Sequence, residues 1–270
     1  MKIHCWGGLG SQLFALAIAH DLRSQHPNQR ISLVLHTSGV TLRKSELDSV
    51  ADSSYSISQL NDFQPISANK NSSTRFSINF LKFLLKKFLI ATKFICTGNT
   101  DADFKKIRPW TISLRGHYFE RKISPSFFDY LLLTLGIEEK NSNPSKFELA
   151  VHYRMGDLLR LSEKAFIPAE KIVNQIDLVA RGKEKINITV YSDSPSEAKN
   201  QLIAAGLKQN FIVREVATIQ VIRECIGVDF FIGTNSKVSL WIVNLRRYLG
   251  LVNNNYLEGF DSHLFSPATK

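Results

Sequence analysis

The chain has 270 residues, enough for one large domain or two modest ones. Lys and Arg number 34 against 24 acidic residues, a net charge of +10 that favours an anionic partner: a nucleotide phosphate, nucleic acid or an acidic membrane surface. Cys5, Cys96 and Cys225 lie far apart, which excludes a disulfide framework and any cysteine-based metal spacing and fits a reducing compartment. The short apolar stretch before Gly7 is no signal peptide, and the absence of a run of about 18 apolar residues excludes a spanning helix, so a cytoplasmic location is expected.

In chain order, Lys2–Trp6 reads as a strand, Gly7-Gly8-Leu9-Gly10 as a turn, and Ser11–Ser24 as a helix with Leu13, Phe14, Leu16, Ala17 and Ile18 on its apolar side. Strand Ile31–Leu35 completes a βαβ unit. Residues 37–79, rich in Ser, Asn and Asp, predict only short elements and loops. Residues 80–96, FLKFLLKKFLIATKFIC, predict a cationic amphipathic helix, with Lys82, Lys86 and Lys93 together and Phe80, Phe83, Leu84, Phe88 and Phe94 opposite. Such a helix suits peripheral contact with an anionic membrane, or packing against its own domain.

A helical run at Phe127–Leu135 is followed by the polar stretch Glu138–Ser145, the expected linker between a domain at 1–143 and a second at 144–270. Beyond it the pattern is regular. Strands are expected at Phe147–Tyr153, Ile186–Tyr191, Phe211–Val213 and Asp229–Ile232, alternating with helices at Pro168–Arg181, from Pro195, at Thr218–Ile226 and at Ser236–Tyr248. This order implies a doubly wound parallel sheet with ligands at the carboxyl ends of its strands.

Four loops hold polar residues where such sites form. Gly7, Gly8, Gly10, Ser11 and Gln12 make a glycine loop before a helix N-terminus, without the G-x-G-x-x-G spacing or a P-loop lysine. In His152-Tyr153-Arg154-Met155-Gly156-Asp157, Arg154 can clamp a diphosphate, His152 can bond a base or ribose, and Asp157 is either a base or the group that orients Arg154. Asp193 and Ser194 leave the next strand, as ligands to a base or ribose or as a helix cap. Thr234, Asn235, Ser236 and Lys237 make a candidate phosphate nest at a fresh helix start. Three of these loops belong to one Rossmann-like half, and the glycine loop belongs to the other. Two such α/β domains facing a cleft would be a GT-B-like fold.

GGLGSQLFALAIAHDL at 7–22, VHYRMGDLL at 151–159, YSDS at 191–194 and FIGTNSKVSLWIVNL at 231–245 resemble, in order and spacing, the motifs of the bacterial α-1,2-fucosyltransferases, glycosyltransferase family 11. The resemblance implies an inverting, metal-independent transfer of L-fucose from GDP-fucose to a glycan hydroxyl, in surface polysaccharide or O-antigen synthesis. The acceptor would be a glycan or lipid-linked glycan, with no cofactor beyond the donor. It places Arg154 at the β-phosphate, His152 near guanine or ribose, Gly8 and Gly10 near the diphosphate and acceptor, and Ser236 at a phosphate. The chain departs from the family at Met155, which replaces a second arginine, and at Leu158, Ser11, Ser194, Lys237 and Leu240.

Alternatives are a GT-B transferase using another nucleotide sugar and a non-catalytic nucleotide- or sugar-binding relative. A nucleic-acid binder is disfavoured, because the Lys-rich stretch 82–93 is interleaved with long aliphatic residues rather than stacking aromatics. Asp157 and Glu120 are the candidate bases.

Overall fold

The computed structural model describes residues 1–36, 45–60, 83–98, 101–137, 146–156 and 166–260. It divides into two compact units, Met1–Lys122 and Ile123–Lys270.

The first unit runs β1 (Lys2–Trp6), α1 (Leu9–Gln25), β2 (Ser32–His36), β3 (Ser56–Leu60), α2 (83–91), β4 (Ile95–Thr97), α3 (Asp101–Phe104) and β5 (Ser113–Arg115). Its five strands form a parallel sheet in the order β3-β2-β1-β5-β4. In KIHCW the three central residues, Ile3 and Cys5 on one face and His4 on the other, are buried, and Lys2 and Trp6 at the ends remain at the surface. α1 packs on β1 and β2 through Leu13, Phe14, Leu16, Ile18 and Leu22, all essentially inaccessible. It begins at Leu9, two residues before the expected start, so Gly10, Ser11 and Gln12 form its first turn rather than a loop.

The expected helix over 80–96 is shorter than predicted. Residues 80–82 lie outside the described residues, and the helix ends at residue 91. Thr92 then folds its hydroxyl back onto the carbonyl of Phe88, Lys93 turns the chain at φ 63°, and Ile95–Thr97 leaves as a strand beside β5. Pairing with β5 outweighs the helical periodicity that Phe94 and Cys96 would have continued.

The second unit runs α4 (Pro125–Leu135), β6 (Phe147–His152), α5 (Ala169–Ala180), β7 (Ile186–Tyr191), α6 (Pro195–Ala204), β8 (Phe211–Arg214), α7 (Thr218–Ile226), β9 (Phe230–Gly233), α8 (Lys237–Tyr248) and β10 (Asn255–Leu257). Its sheet is parallel throughout, in the order β10-β9-β6-β7-β8. The core includes Leu149 and Val151 of β6, Ile172 and Ile176 of α5, and Ile188 and Val190 of β7. Two Rossmann-like units in tandem are the make-up of a GT-B-like fold, as the strand–helix alternation implied.

The division falls earlier than the expected boundary at 143/144. α4 has strong local end signals: Ser124 accepts from the Phe127 amide, Pro125 opens the first turn, and Gly136 closes the helix at φ 62°. Its buried Phe127 and Phe128 meet Trp241 of α8 at ring-centroid distances of 5.8 and 6.3 Å. The Tyr248 hydroxyl donates to Asp129 at 2.7 Å. These contacts bind α4 to the second unit. The expected linker, Glu138–Ser145, lies outside the described residues.

Arg246 of α8 is inaccessible to solvent. Its Nη1 donates to the carbonyls of Cys225, Ile226 and Val228, its Nη2 to those of Asp229 and Asn254, and its Nε to Asn255 Oδ1. The cation thus satisfies the open carbonyls at the end of α7 and ties the approaches to β9 and β10 together. Burial lowers its pKa to about 10, so it remains charged at neutral pH. Arg246→Met removes every donor and leaves buried carbonyls unpaired. The expected loss is roughly 3–5 kcal/mol of unfolding free energy. It is read from urea denaturation followed by Trp241 emission in a Trp6→Phe/Trp110→Phe background, and an unchanged midpoint would contradict the role assigned to Arg246.

Candidate functional site

In the second unit the chain builds outward from β6 in two directions. β7 and β8 extend one side of the sheet; β9 and β10 extend the other. The break in order lies between β6 and β9, and loops leaving the carboxyl ends of two such strands part around a ligand-sized crevice. His152 and Gly233 are register partners at that edge.

The two loops are bonded to each other. The Thr234 amide and hydroxyl both donate to the His152 carbonyl, at 3.2 and 3.1 Å. The same hydroxyl accepts from the Arg154 amide at 3.1 Å. Arg154 is thereby held at the carboxyl end of β6, half-buried, with its guanidinium close enough to depress the titration of His152. His152 is buried, and its Nδ1 lies 2.7 Å from Ser239 Oγ in α8. Burial first, then the Arg154 charge, lowers its pKa to about 4, against an opposing pull from Asp193. His152 is therefore neutral at pH 7 and serves as a hydrogen-bonding group, not a cation.

The remaining expected ligands differ in kind. Asp193 Oδ1 accepts from the amides of Met155 and Gly156, both at 2.9 Å, and so holds the turn that follows Arg154. A Cβ at Gly156 would stand 2.5 Å from Asp193 Oδ2, so a larger residue there would push the carboxylate away from these amides. Ser194 occupies the cap position of α6, but its side chain makes no capping bond; its amide instead donates to Ser192 Oγ at 3.2 Å. Thr234 and Ser236 turn inward. Ser236 is buried, and its hydroxyl accepts from the Val238 amide to cap α8. Of the expected nest, Asn235 and Lys237 are the partly exposed side chains. Met155, at the position of the missing second arginine, is fully buried in the core and contributes packing. Asp157 lies outside the described residues.

In the first unit, Gly7 adopts φ +100° and Gly8 is the cap residue of α1. Gln12, though polar, is buried: its Nε2 donates to the Gly7 carbonyl at 3.0 Å and its Oε1 accepts from the Glu46 amide at 3.1 Å. Gln12 thus fixes the loop. Glu120 is exposed. Sequence reading missed a neighbouring group. His4 Nδ1 lies 2.8 Å from His36 Nε2, and Trp6 stacks on the His36 ring at 4.3 Å with 9° between planes. The signal was present in the alternation: His4 and Trp6 share a face of β1, and Trp6 pairs in register with His36. Trp6 is 36% exposed, so an indole face is presented at the carboxyl end of β1 beside the glycine turn.

Among the described residues no group of three or more His, Cys, Asp or Glu side chains is placed to hold a metal ion. The three cysteines are buried free thiols.

No protein-family model matches the chain, and no curated protein matches it. Similar solved structures include a glycosyl transferase family 9 protein from Veillonella parvula, at 12% identity and TM-score 0.44, covering 90% of this chain and 78% of that one. A UDP co-structure of MnaA from S. aureus has 9% identity and TM-score 0.45, covering 98% and 86%. The E. coli heptosyltransferase WaaC with ADP has 12% identity and TM-score 0.41, covering 100% and 96%.

The buried neutral His152 makes a pH prediction. Its folded pKa is near 4, below the unfolded value of 6.5. As pH falls from about 6.5 to 4, the unfolded chain gains a proton that the folded chain resists. Stability is therefore lost across that window, by about 3 kcal/mol from this group. Unfolding free energies measured from pH 7 to 4 should fall less steeply for His152→Asn than for the parent; parallel curves would show that His152 is not the group responsible.

Proposed function

We propose that this chain is a glycosyltransferase that takes a nucleotide-sugar donor at the β6/β9 edge of its second unit. The observation that carries the reading is Arg154, half-buried at the topological switch point and held through its own amide by Thr234. A nucleoside diphosphate gains negative charge as the glycosidic bond to the sugar breaks. A positioned guanidinium stabilises that charge with little reorganisation, and its planar fork suits phosphate oxygens. Lys237 and the amides at the start of α8 supply further positive potential at the same edge. Neutral His152 adds no charge and is suited to a ribose or base hydrogen bond.

The first unit is assigned the acceptor. Trp6, backed by His36, offers an apolar ring face of the kind on which the C–H side of a sugar stacks, next to a glycine turn that permits close approach. The motif resemblance supports GDP-fucose as donor and an α-1,2 linkage to a glycan hydroxyl as product. The arrangement of Asp193 favours the wider alternative of another nucleotide sugar. One of its oxygens already serves two backbone amides, which weakens the case for it as a guanine reader.

Calorimetric titration of GDP, UDP, CMP and ADP into the parent and Arg154→Ala tests both levels. GDP binding that weakens at least about tenfold in the variant supports the diphosphate clamp and the GDP-sugar assignment. Binding of another nucleotide with the same loss keeps the transferase and discards fucose. No nucleotide binding by the folded parent overturns the proposal.

A further inference from the structure

α2 displays its apolar side chains instead of burying them. Phe83, Leu84, Leu85, Phe88 and Ile90 are 51, 45, 55, 60 and 42% exposed. At about 100° per residue, five such positions within nine residues take up most of the helix circumference. Exposed apolar surface of this kind marks an interaction site.

The surface continues beyond the helix. The Trp110 indole N–H donates to the Thr92 carbonyl at 3.1 Å, just past the end of α2, and the Ile112 amide donates to the Phe94 carbonyl at 3.0 Å. Both side chains are themselves open to solvent, at 53 and 55%. The Thr111 hydroxyl bonds the Lys93 carbonyl at 2.9 Å, so the turn that ends α2 is tied to the 110–112 segment. Tryptophan beside phenylalanine and leucine is the composition that favours the boundary between lipid headgroups and acyl chains.

Charge selects the partner. Within 83–98 the charged residues are Lys86, Lys87 and Lys93, with no Asp or Glu. The Lys87 ammonium sits 4.7 Å from the centre of the Phe83 ring, so the positive charge lies among the apolar groups and can reach past them on its long stem. Exposed Lys105 and Arg108 add to the positive rim near Trp110. A second copy meeting this surface face to face would bring like charges together, whereas an anionic bilayer accepts both features at once.

We propose that α2 and the Trp110–Ile112 segment form a docking surface for an anionic lipid bilayer, with the helix lying in the headgroup region. The contact is independent of what the second unit binds.

The test is flotation of the full chain with phosphatidylcholine vesicles, with and without phosphatidylglycerol. Partners for comparison are Lys86→Glu/Lys87→Glu and Leu85→Ser/Phe88→Ser, both at exposed positions, each with its thermal unfolding recorded. The parent should float with the anionic vesicles and not with the neutral ones, and release at high salt. Each double variant should lower the bound fraction at least about tenfold with unchanged unfolding. An intact chain that stays below the anionic vesicles overturns the proposal. So does a dimer in sedimentation velocity that Leu85→Ser/Phe88→Ser dissociates, which would assign the surface to protein.

Discussion

The parallel pairing of β6 with β9 sets His152 beside Gly233, and the loops leaving those strands are fastened to each other. Thr234 is the fastening. Its hydroxyl donates to one carbonyl and accepts from the amide of Arg154, so the backbone of the charged residue is placed by strand pairing. Asp193 adds a second restraint from β7, through the amides that follow. A site built this way has its backbone arranged in advance, which is what electrostatic stabilisation of a developing charge requires.

His152 and Arg246, both buried in the second unit, are used in opposite senses. His152 is kept neutral by burial and by its neighbour Arg154. Arg246 is kept charged in full burial because five main-chain carbonyls replace its water. The first unit follows the same economy with polar groups: Gln12 is buried, yet both ends of its amide are matched by backbone. By contrast, Lys86 and Lys87 remain exposed, mixed with exposed apolar groups.

The second unit was more legible in the sequence than the first. FELAVH and INITVY are apolar runs of strand length separated by helices with clear start signals, so local pattern and final structure agree. SISQL, ICT, SLR and NYL are short, and several are polar; they become strands because β1, β2, β5 and β9 offer them an edge, a cause that no local window contains. The same holds for α4, whose helical ends were readable but whose membership depends on Trp241, more than a hundred residues away. At the site, the strand-end location of the loops was legible. The inward turn of the Thr234 and Ser236 hydroxyls was not, since both residue types serve ligands and backbone equally well until burial decides between them. The Trp6–His36 stack escaped because it joins two strands.

The separation in sequence between the two halves of the candidate site has a consequence for how the protein comes into being. Arg154 and Thr234 are 80 residues apart, and His152 and Ser239 are 87 apart. β6, β7 and β8 can be synthesised and begin to associate while one side of β6 still lacks β9. During that interval the carboxyl end of β6 has no Thr234 to hold it and no Ser239 to accompany His152. Long-range parallel pairing of this kind is slow to form and exposes an unpaired edge while it waits. The candidate site of the second unit is thus completed only when β9 pairs with β6, and a nascent chain carries Arg154 before the loop that holds it exists.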